Sequence, residues 1–212
     1  MSEKHTMTVP VYSGKRPRAY VIQRRSKETE VTVNLCLDGS GHSEIDTGVE
    51  FLDQMLALFA ACSRFDLTVN CQGPARGDAY YCVEEVGTVL GQAFAQIVGN
   101  GKGIQQFGNC LLPADEALVL AVVELSGRGA LRYGLQIPSQ KVGTFDTELT
   151  REFFQAFVRN SGVTLHLRQV DGENSRHIIE SAFKGFGSAL RQAVSADPCF
   201  PEERSSGTDK RM

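Results

Sequence analysis

The chain has 212 residues, of which 42% are hydrophobic, and its formal net charge is −3 at pH 7. This length and hydrophobic content suit one large globular domain or two fused smaller ones. The slightly acidic balance gives no basic field for a nucleic-acid backbone, and no apolar run reaches the roughly 20 residues that cross a bilayer. We therefore expect a cytoplasmic protein that binds neither nucleic acid nor membrane.

The two ends of the sequence differ from its interior. Residues 1–17 and 198–212 are polar and lack apolar periodicity, which predicts a mobile N-terminal segment and a mobile C-terminal tail. The region between them divides into two β/α halves, residues 18–100 and 101–197. Its cysteines form no CxxC pair, which favours free thiols in a reducing compartment.

The first half starts with two alternating segments, YVIQRR and EVTVNLCLDG, which predict strands. Residues 51–69, FLDQMLALFAACSRFDLTV, then predict a helix followed by a strand that places Phe65, Leu67 and Val69 on one side. Residues 80–98, YYCVEEVGTVLGQAFAQIV, have apolar residues at three- and four-residue intervals. This spacing predicts a second helix with one face on the core.

The second half repeats this order of elements. ALVLAVVELSG and LRYGLQI predict strands, residues 149–167 predict a helix and a strand, and residues 176–194 predict the last helix. Such self-similarity fixes an architecture more firmly than local propensity does. We predict an α+β protein with an internal duplication of two similar halves. Each half is a mostly antiparallel four-stranded sheet with two helices on one face.

The repeat also aligns polar residues near the helix starts. Gln54 falls opposite Glu152, and Glu84 falls opposite Glu180. His177 and Glu180 are three residues apart, so their side chains share one helix face. This spacing leaves two interpretations open. The pair takes adjacent positions on a divalent metal such as Mn²⁺, or it forms a solvated helix start in which Glu180 favours the positive end of the helix dipole.

Several motifs occur in the order that one known family has. GENSRHIIESAFK resembles G-x-N-x-H-H-x-x-E-A-x-F-K, and GVEFLDQML resembles G-I-P-F-L-D-H-M-L. GDAYYCVEE resembles D-x-H-H-T-x-E-D, and LPADEALVLAVVELSGR resembles P-M-D-E-A-L with D-x-S-G-R. The matches extend over residues 18–196 without a large gap. The sequence therefore resembles the imidazoleglycerol-phosphate dehydratase family.

This resemblance implies a reaction, a cofactor and an assembly. Members of the family are hydro-lyases of histidine biosynthesis that convert imidazole glycerol phosphate into imidazole acetol phosphate with the help of manganese. They form octahedral homo-oligomers of twenty-four subunits whose dimanganese sites lie between subunits. The resemblance thus implies a large homo-oligomer, as that shell or its trimer, with a small phosphorylated ligand.

The resemblance also assigns the family's metal positions to this chain. Glu84, His177 and Glu180 keep the family residue, and Glu152 stands where members often have a histidine. The other assigned positions have lost a histidine, and they are Gln54, Tyr80, Tyr81 and Arg176.

These replacements weaken a manganese site for chemical reasons. An amide offers only a weak carbonyl donor, and a phenol must first lose a proton with a pKa of about 10. Arginine cannot ligate, and its charge about 4 Å from a divalent ion opposes that ion by roughly 8 kcal/mol at an effective dielectric constant near 20. We therefore expect no metal or only a weakly bound metal.

The resemblance carries over substrate-binding residues as well. Arg128 and Lys184 match basic residues that hold the phosphate, while Gln106 stands where members have another phosphate-binding arginine. Glu28 matches an active-site carboxylate that engages the substrate. The phosphate-facing positions are thus better kept than the metal positions.

Three functional hypotheses follow from these substitutions. The first is a metal-poor paralogue that has lost or altered the dehydratase activity, as a pseudoenzyme, a partner of an intact paralogue, or a non-enzymatic binder of a small phosphorylated ligand. The second is an enzyme of altered chemistry in the same pocket, whose general acids or bases would be Glu28, Glu84, His177 and Glu180. In this hypothesis Tyr80 or Tyr81 would donate a proton or bind a ferric ion as phenolate. The third is a weakly active imidazoleglycerol-phosphate dehydratase.

Overall fold

The structure is a computed structural model, and it describes residues 17–26, 29–73, 79–197 and 199. The predicted mobile segments, residues 1–17 and 198–212, therefore lie almost entirely outside the described residues. No helix in these described ranges has the length and apolar character that crossing a membrane requires.

The first half forms one four-stranded sheet and two helices. Its sheet has the order β1-β2-β4-β3, with the β3–β4 pair parallel and the other pairs antiparallel. The elements are β1 (Ala19–Arg25), β2 (Glu30–Cys36), β3 (Ser43–Asp46), α1 (Glu50–Ser63), β4 (Asp66–Gln72) and α2 (Ala79–Val98).

The second half has the same arrangement. Its sheet has the order β5-β6-β10-β7, with the β10–β7 pair parallel, and a short β8–β9 hairpin precedes its first helix. The elements are β5 (Phe107–Ala114), β6 (Ala117–Glu124), β7 (Ala130–Gly134), β8 (Lys141–Val142), β9 (Phe145–Asp146), α3 (Leu149–Ser161), β10 (Thr164–Asp171) and α4 (Ser175–Ala193). The predicted α+β duplication is confirmed.

Two strands of the sheets were absent from the sequence prediction. The β3 strand is a four-residue polar segment, SEID, and its short length hides any alternation. The β5 strand, FGNCLLPA, contains a glycine and a proline, which are unfavourable in strands. It forms an edge of its sheet, where a missing N–H group is tolerated.

The apolar residues of the strands face the helices. Val33 of β2 pairs with Val69 of β4, and both are buried. In the second half, Val123 of β6 pairs with Leu165 of β10, and these are buried as well. One face of each sheet thus joins the core, which explains the alternating pattern of the strands.

The helices of one half pack against the helices of the other half. α1 lies beside α4, and α2 lies beside α3. Phenylalanine rings fill this junction: the Phe59 and Phe186 ring centroids are 5.4 Å apart, and those of Phe94 and Phe157 are 5.7 Å apart. A single hydrophobic core therefore joins the two halves.

A glycine brings the helices of each pair close together. A Cβ atom at Gly187 of α4 would lie 2.6 Å from the Phe59 carbonyl oxygen of α1, and one at Gly91 of α2 would lie 2.5 Å from the Phe157 carbonyl oxygen of α3. Carbon atoms do not approach oxygen so closely, so both positions require glycine at this helix separation. The two helix pairs therefore repeat the same contact.

Candidate functional site

The starts of α1 and α4 bring together one group of predicted site residues. Arg176 Nη1 donates to Gln54 Oε1 at 3.0 Å and lies 3.6 Å from Glu180 Oε1. Lys184 Nζ lies 3.5 Å from Glu180 Oε2. Residues four apart share a helix face, so the charged side chains of α4 form one row. We name Gln54, Arg176, Glu180 and Lys184 the first cluster.

The Arg176 side chain is held from several sides. Its guanidinium lies over the Phe51 ring, 5.1 Å from the ring centroid, in a cation–π contact. Asn174 caps α4, and its side-chain oxygen accepts from the Arg176 backbone N–H at 2.9 Å. The cap fixes the first turn of α4, and the ring and the amide of Gln54 fix the guanidinium.

His177 is directed away from the first cluster. Its Nδ1 atom lies 2.6 Å from Glu116 Oε2, and its Nε2 atom lies 3.3 Å from Asp115 Oδ2. The hydrogen bond with Glu116 raises the pKa of His177 above its usual value. The same bond, with the Asn174 backbone N–H, lowers the pKa of Glu116 to about 2. The two carboxylates therefore favour the cationic form of the imidazole, and a cationic imidazole does not bind metal.

A second group of predicted site residues lies at the pseudo-equivalent place on α2 and α3. Glu84 and Glu152 line one polar groove with a volume of about 250 Å³. Neither carboxylate makes a hydrogen bond or an ion pair with another residue of the described ranges. Thr88 stands where the first cluster has Lys184, so α2 offers no cation to Glu84. We name Tyr80, Glu84 and Glu152 the second cluster.

Two tyrosines lie at the start of α2, at the positions where the sequence resemblance predicts the histidine pair of the family. The Tyr80 and Tyr81 rings are 38% and 42% exposed and meet edge to face, with centroids 5.8 Å apart. The charge of Glu84 raises the pKa of Tyr80 above its usual value. The Tyr80 phenol therefore stays protonated at neutral pH, and a protonated phenol is a poor metal ligand.

The structure does not bring together the predicted phosphate-binding residues within the described chain. Lys184 belongs to α4, and Arg128 is an exposed residue of the β6–β7 loop whose backbone carbonyl accepts from Thr164 Oγ1 at 2.8 Å. Gln106 has a φ of 64°, and its side chain donates to the Gly101 carbonyl at 2.9 Å. Glu28, the predicted substrate-binding carboxylate, lies outside the described residues.

The donor set of these clusters does not fit a pair of manganese ions. The first cluster contains two cations, Arg176 and Lys184, and its Glu180 carboxylate is already paired with both. Across residues 17–26, 29–73, 79–197 and 199, no three His, Cys, Asp or Glu side chains are grouped so that they could hold a metal ion. Within the described part of one chain, the family positions retained by the sequence therefore do not converge on one metal-binding geometry.

Sequence reasoning missed both partners of His177 and two arginines of the second cluster's groove. Asp115 and Glu116 lie in the β5–β6 turn, and the sequence shows them only as the acidic part of PADEAL. Arg24 and Arg159 line the groove of the second cluster and come from distant parts of the chain. No local pattern indicates these contacts, because one set forms only when α4 packs on the β5–β6 turn and the other only when β1, α2 and α3 pack together.

Known proteins show the same chain pattern and the same fold. A family model described as imidazoleglycerol-phosphate dehydratase matches residues 47–190. Imidazoleglycerol-phosphate dehydratase of a Synechococcus strain is 51% identical over 177 residues, which cover 84% of this chain and 88% of the relative. That of Gloeobacter violaceus is 50% identical over 182 residues, covering 86% and 92%.

Solved structures extend the similarity to three dimensions. Imidazoleglycerol-phosphate dehydratase from Staphylococcus aureus aligns with a TM-score of 0.76 and 37% identity, covering 84% of this chain and 99% of that one. The enzyme from Pyrococcus furiosus aligns with a TM-score of 0.73 and 32% identity, covering 84% and 95%. The chain therefore belongs to the imidazoleglycerol-phosphate dehydratase family.

Proposed function

We propose that this chain is a divergent family member that has lost the metal-dependent dehydration and keeps a metal-poor site for a small phosphorylated ligand. The observation that carries the proposal is the position of Arg176, bonded to Gln54 and paired with Glu180 in the first cluster. A guanidinium keeps its charge at any physiological pH, so no proton loss frees this position for a metal ion.

The second cluster supports the same proposal by a different route. Its carboxylates, Glu84 and Glu152, are able to ligate, but their aromatic neighbour Tyr80 is a protonated phenol. Two carboxylates without imidazole give a weak site for manganese, since several more donors would have to come from water. Neither cluster therefore offers a strong binding site for the metal ion that the dehydration needs.

The ligand-binding part of the proposal rests on the basic row of α4. Arg176 and Lys184 flank Glu180 on one helix face, and together they outweigh its charge. A guanidinium fork and an ammonium group are the side chains best suited to a phosphate. Inorganic phosphate and phosphorylated imidazoles are the natural probes of this row.

We also propose that the chain assembles with copies of itself. The outer face of the second sheet exposes apolar side chains, with Phe107 63%, Leu111 55% and Val122 37% exposed. Leu111 and Leu120 are paired across β5 and β6, so the apolar residues are contiguous. Contiguous apolar surface of this kind marks an interface. Native mass spectrometry tests the assembly, and Leu111→Lys should shift it toward smaller species.

Metal analysis together with an activity assay tests the proposed function. After dialysis with Mn²⁺, we expect the wild type to retain far less than one manganese ion per chain and to leave imidazole glycerol phosphate unchanged. The variant with Gln54→His, Tyr80→His, Tyr81→His and Arg176→His should gain manganese, since it regains four imidazoles. Stoichiometric manganese and turnover in the wild type would overturn the proposal.

A matched pair of variants tests whether the basic row of α4 binds phosphate. Inorganic phosphate should raise the melting temperature of the wild type, because a ligand of the native state stabilises it by mass action. Lys184→Gln should remove most of this rise, and Lys141→Gln, on the β8–β9 hairpin, should keep it. An equal response of the two variants would argue against phosphate binding at α4.

A further inference from the structure

The groove of the second cluster contains charges of both signs. Its lining includes two carboxylates, Glu84 and Glu152, and two guanidinium groups, Arg24 and Arg159, with Gln155 among the polar residues that complete it. The volume of about 250 Å³ is sufficient for a compact organic molecule. The groove is open to solvent and has mostly polar walls, which favours a charged ligand over an apolar one.

The charges of this groove are largely uncompensated within the described part of the chain. Glu84, Glu152 and Arg159 form no ion pair with any described residue. Arg24 is held in place by Glu85, whose Oε2 atom lies 3.4 Å from Arg24 Nε. Opposite charges that line one groove without neutralising each other leave attraction available for a ligand that carries charges of both signs.

The two charged residues that α3 contributes to the groove are separated along the helix axis. Glu152 and Arg159 both line the groove and are separated by seven residues, which corresponds to about 10 Å along the axis at 1.5 Å per residue. Because the Cα–Cβ bonds of a helix all tilt toward its start, the axial separation of the two Cα atoms sets the scale of the distance between the two charges. A hydrogen bond of about 2.9 Å at each end leaves roughly 5 Å for the ligand itself.

We propose that the groove binds a small zwitterionic ligand, with a protonated nitrogen held by Glu84 and Glu152 and an anionic oxygen group held by Arg159 and Arg24. Carboxylates accept from an ammonium or imidazolium group, and guanidinium groups donate to a carboxylate or phosphate. Gln155 and the Thr88–Asn160 pair also line the groove and offer neutral hydrogen-bonding groups.

A bare metal ion fits this groove less well than a zwitterion does. The guanidinium groups of Arg24 and Arg159 oppose a divalent cation and at the same time attract an anion. A ligand that carries only a positive charge would leave these arginines unused. The inference rests on the proposed function in one respect, because Glu84 and Glu152 must be free of manganese.

Calorimetric titration with ω-amino acids tests the inference, in buffer that contains a chelator. The probes are glycine, γ-aminobutyrate and ε-aminocaproate, which carry the same two charges at increasing separation. We expect γ-aminobutyrate to bind most tightly, because its length is closest to the free span of the groove. Butylamine and butyrate, which carry one charge each, should bind about tenfold more weakly or not at all.

Variants with matched controls locate the binding site. Glu152→Gln and Arg159→Gln should each weaken γ-aminobutyrate binding about tenfold, since each removes one charge-assisted contact. Glu148→Gln and Arg151→Gln change the same residue types on exposed positions of α3 outside the groove, and should bind as the wild type does. Circular dichroism confirms that each variant is folded, and Glu84→Gln replaces Glu152→Gln if the latter is not.

Two outcomes would overturn the inference. One is the absence of saturable binding of all three ω-amino acids to the wild type. The other is an equal loss of binding in the control variants. Manganese analysis of the same wild-type preparation decides the proposed function separately, because the titration is carried out with metal removed. A failure of one is thus distinguishable from a failure of the other.

Discussion

The helix pairs α1/α4 and α2/α3 share a backbone arrangement and differ in charge. In both pairs a glycine contacts the carbonyl group of a phenylalanine on the neighbouring helix, at Gly187 and at Gly91. On the exposed face, the first pair places Arg176 and Lys184 around Glu180. At the corresponding place, the second pair has Tyr80 and Thr88 around Glu84.

This difference shows which positions the fold constrains. The buried glycines are constrained by close packing, where an added methyl group has no space. The polar residues at the helix starts are half exposed, so their replacement costs the fold little. The two halves therefore kept one packing arrangement while their site residues diverged to opposite electrostatic character.

The largest expected effect concerns the shared packing. Gly187→Ala and Gly91→Ala should each lower the free energy of unfolding by about 1–3 kcal/mol, because the new Cβ atom meets a backbone carbonyl. Chemical denaturation measures both. At Gly185, where an added Cβ would lie 3.4 Å or more from its neighbours, Gly185→Ala should instead stabilise by about 0.5–1 kcal/mol. A large difference between the first two variants would contradict the equivalence of the helix pairs.

The next effect concerns the cation of the first cluster. Arg176→Met removes the contact with the Phe51 ring and the bond to Gln54, and should lower the free energy of unfolding by about 1 kcal/mol. The loss should shrink at high salt, because exposed charges are screened. Arg191→Met, at an exposed position of the same helix, is the control, with an expected change below about 0.5 kcal/mol. Equal changes in the free energy of unfolding of the two variants would show that the contacts of Arg176 with Phe51 and Gln54 do not stabilise the fold.

The His177–Glu116 pair predicts a pH dependence that α2 does not share. Raising the pKa of His177 above 6.5 stabilises the native state below that value, and this contribution is lost as the pH rises through the raised pKa. Lowering the pKa of Glu116 from 4.5 to about 2 stabilises the native state above pH 4.5, and this contribution is lost as the pH falls toward 2. The pair therefore contributes most between pH 4.5 and 6.5.

Denaturation midpoints across this pH range measure the effect. His177→Gln should flatten the profile at both limbs, since the variant lacks the charge that also lowers the Glu116 pKa. Tyr81→Phe, at the equivalent position of α2, should leave the profile unchanged. A profile that is retained in His177→Gln would show that other groups cause it.

The smallest expected effect comes from transferring a charge between the clusters. Thr88→Lys places a cation four residues after Glu84, as Lys184 stands after Glu180, and should stabilise by about 0.3–0.5 kcal/mol. Thr88→Met loses the same hydroxyl without adding a charge, and serves as the control. If the lysine variant is no more stable than the methionine variant, Glu84 is not free for pairing.

Much of the fold could be predicted because it depends on local patterns. The alternation of Val31, Val33 and Leu35 and the helical spacing of α2 and α4 identify their elements directly. The strands β3 and β5 were missed because one is short and polar and the other contains Gly and Pro. Their place in the sheets depends on pairing with β4 and β6, which no local pattern encodes.

The site was predicted less completely than the fold. Sequence spacing put His177 and Glu180 on one helix face, but the structure pairs His177 with Glu116 of the β5–β6 turn. Spacing placed Arg176 on the same helix face as Glu180 but gave it no partner outside α4, whereas the structure bonds it to Gln54 from the other half. Side chains at helix starts choose their partners among residues that tertiary packing brings near, so spacing predicts proximity within a helix only.

The sequence by itself determined the duplication and the family resemblance, because residue identity and periodicity carry them, and the resemblance predicts the loss of four histidines. Only the tertiary structure decided that α1 lies beside α4 and α2 beside α3, and hence that the altered residues form two separate clusters. The physical reason is that the charges around a guanidinium or a carboxylate decide whether that group is already paired or is free to bind a ligand. Those charges come from distant parts of the chain, and the packing of the two halves places them.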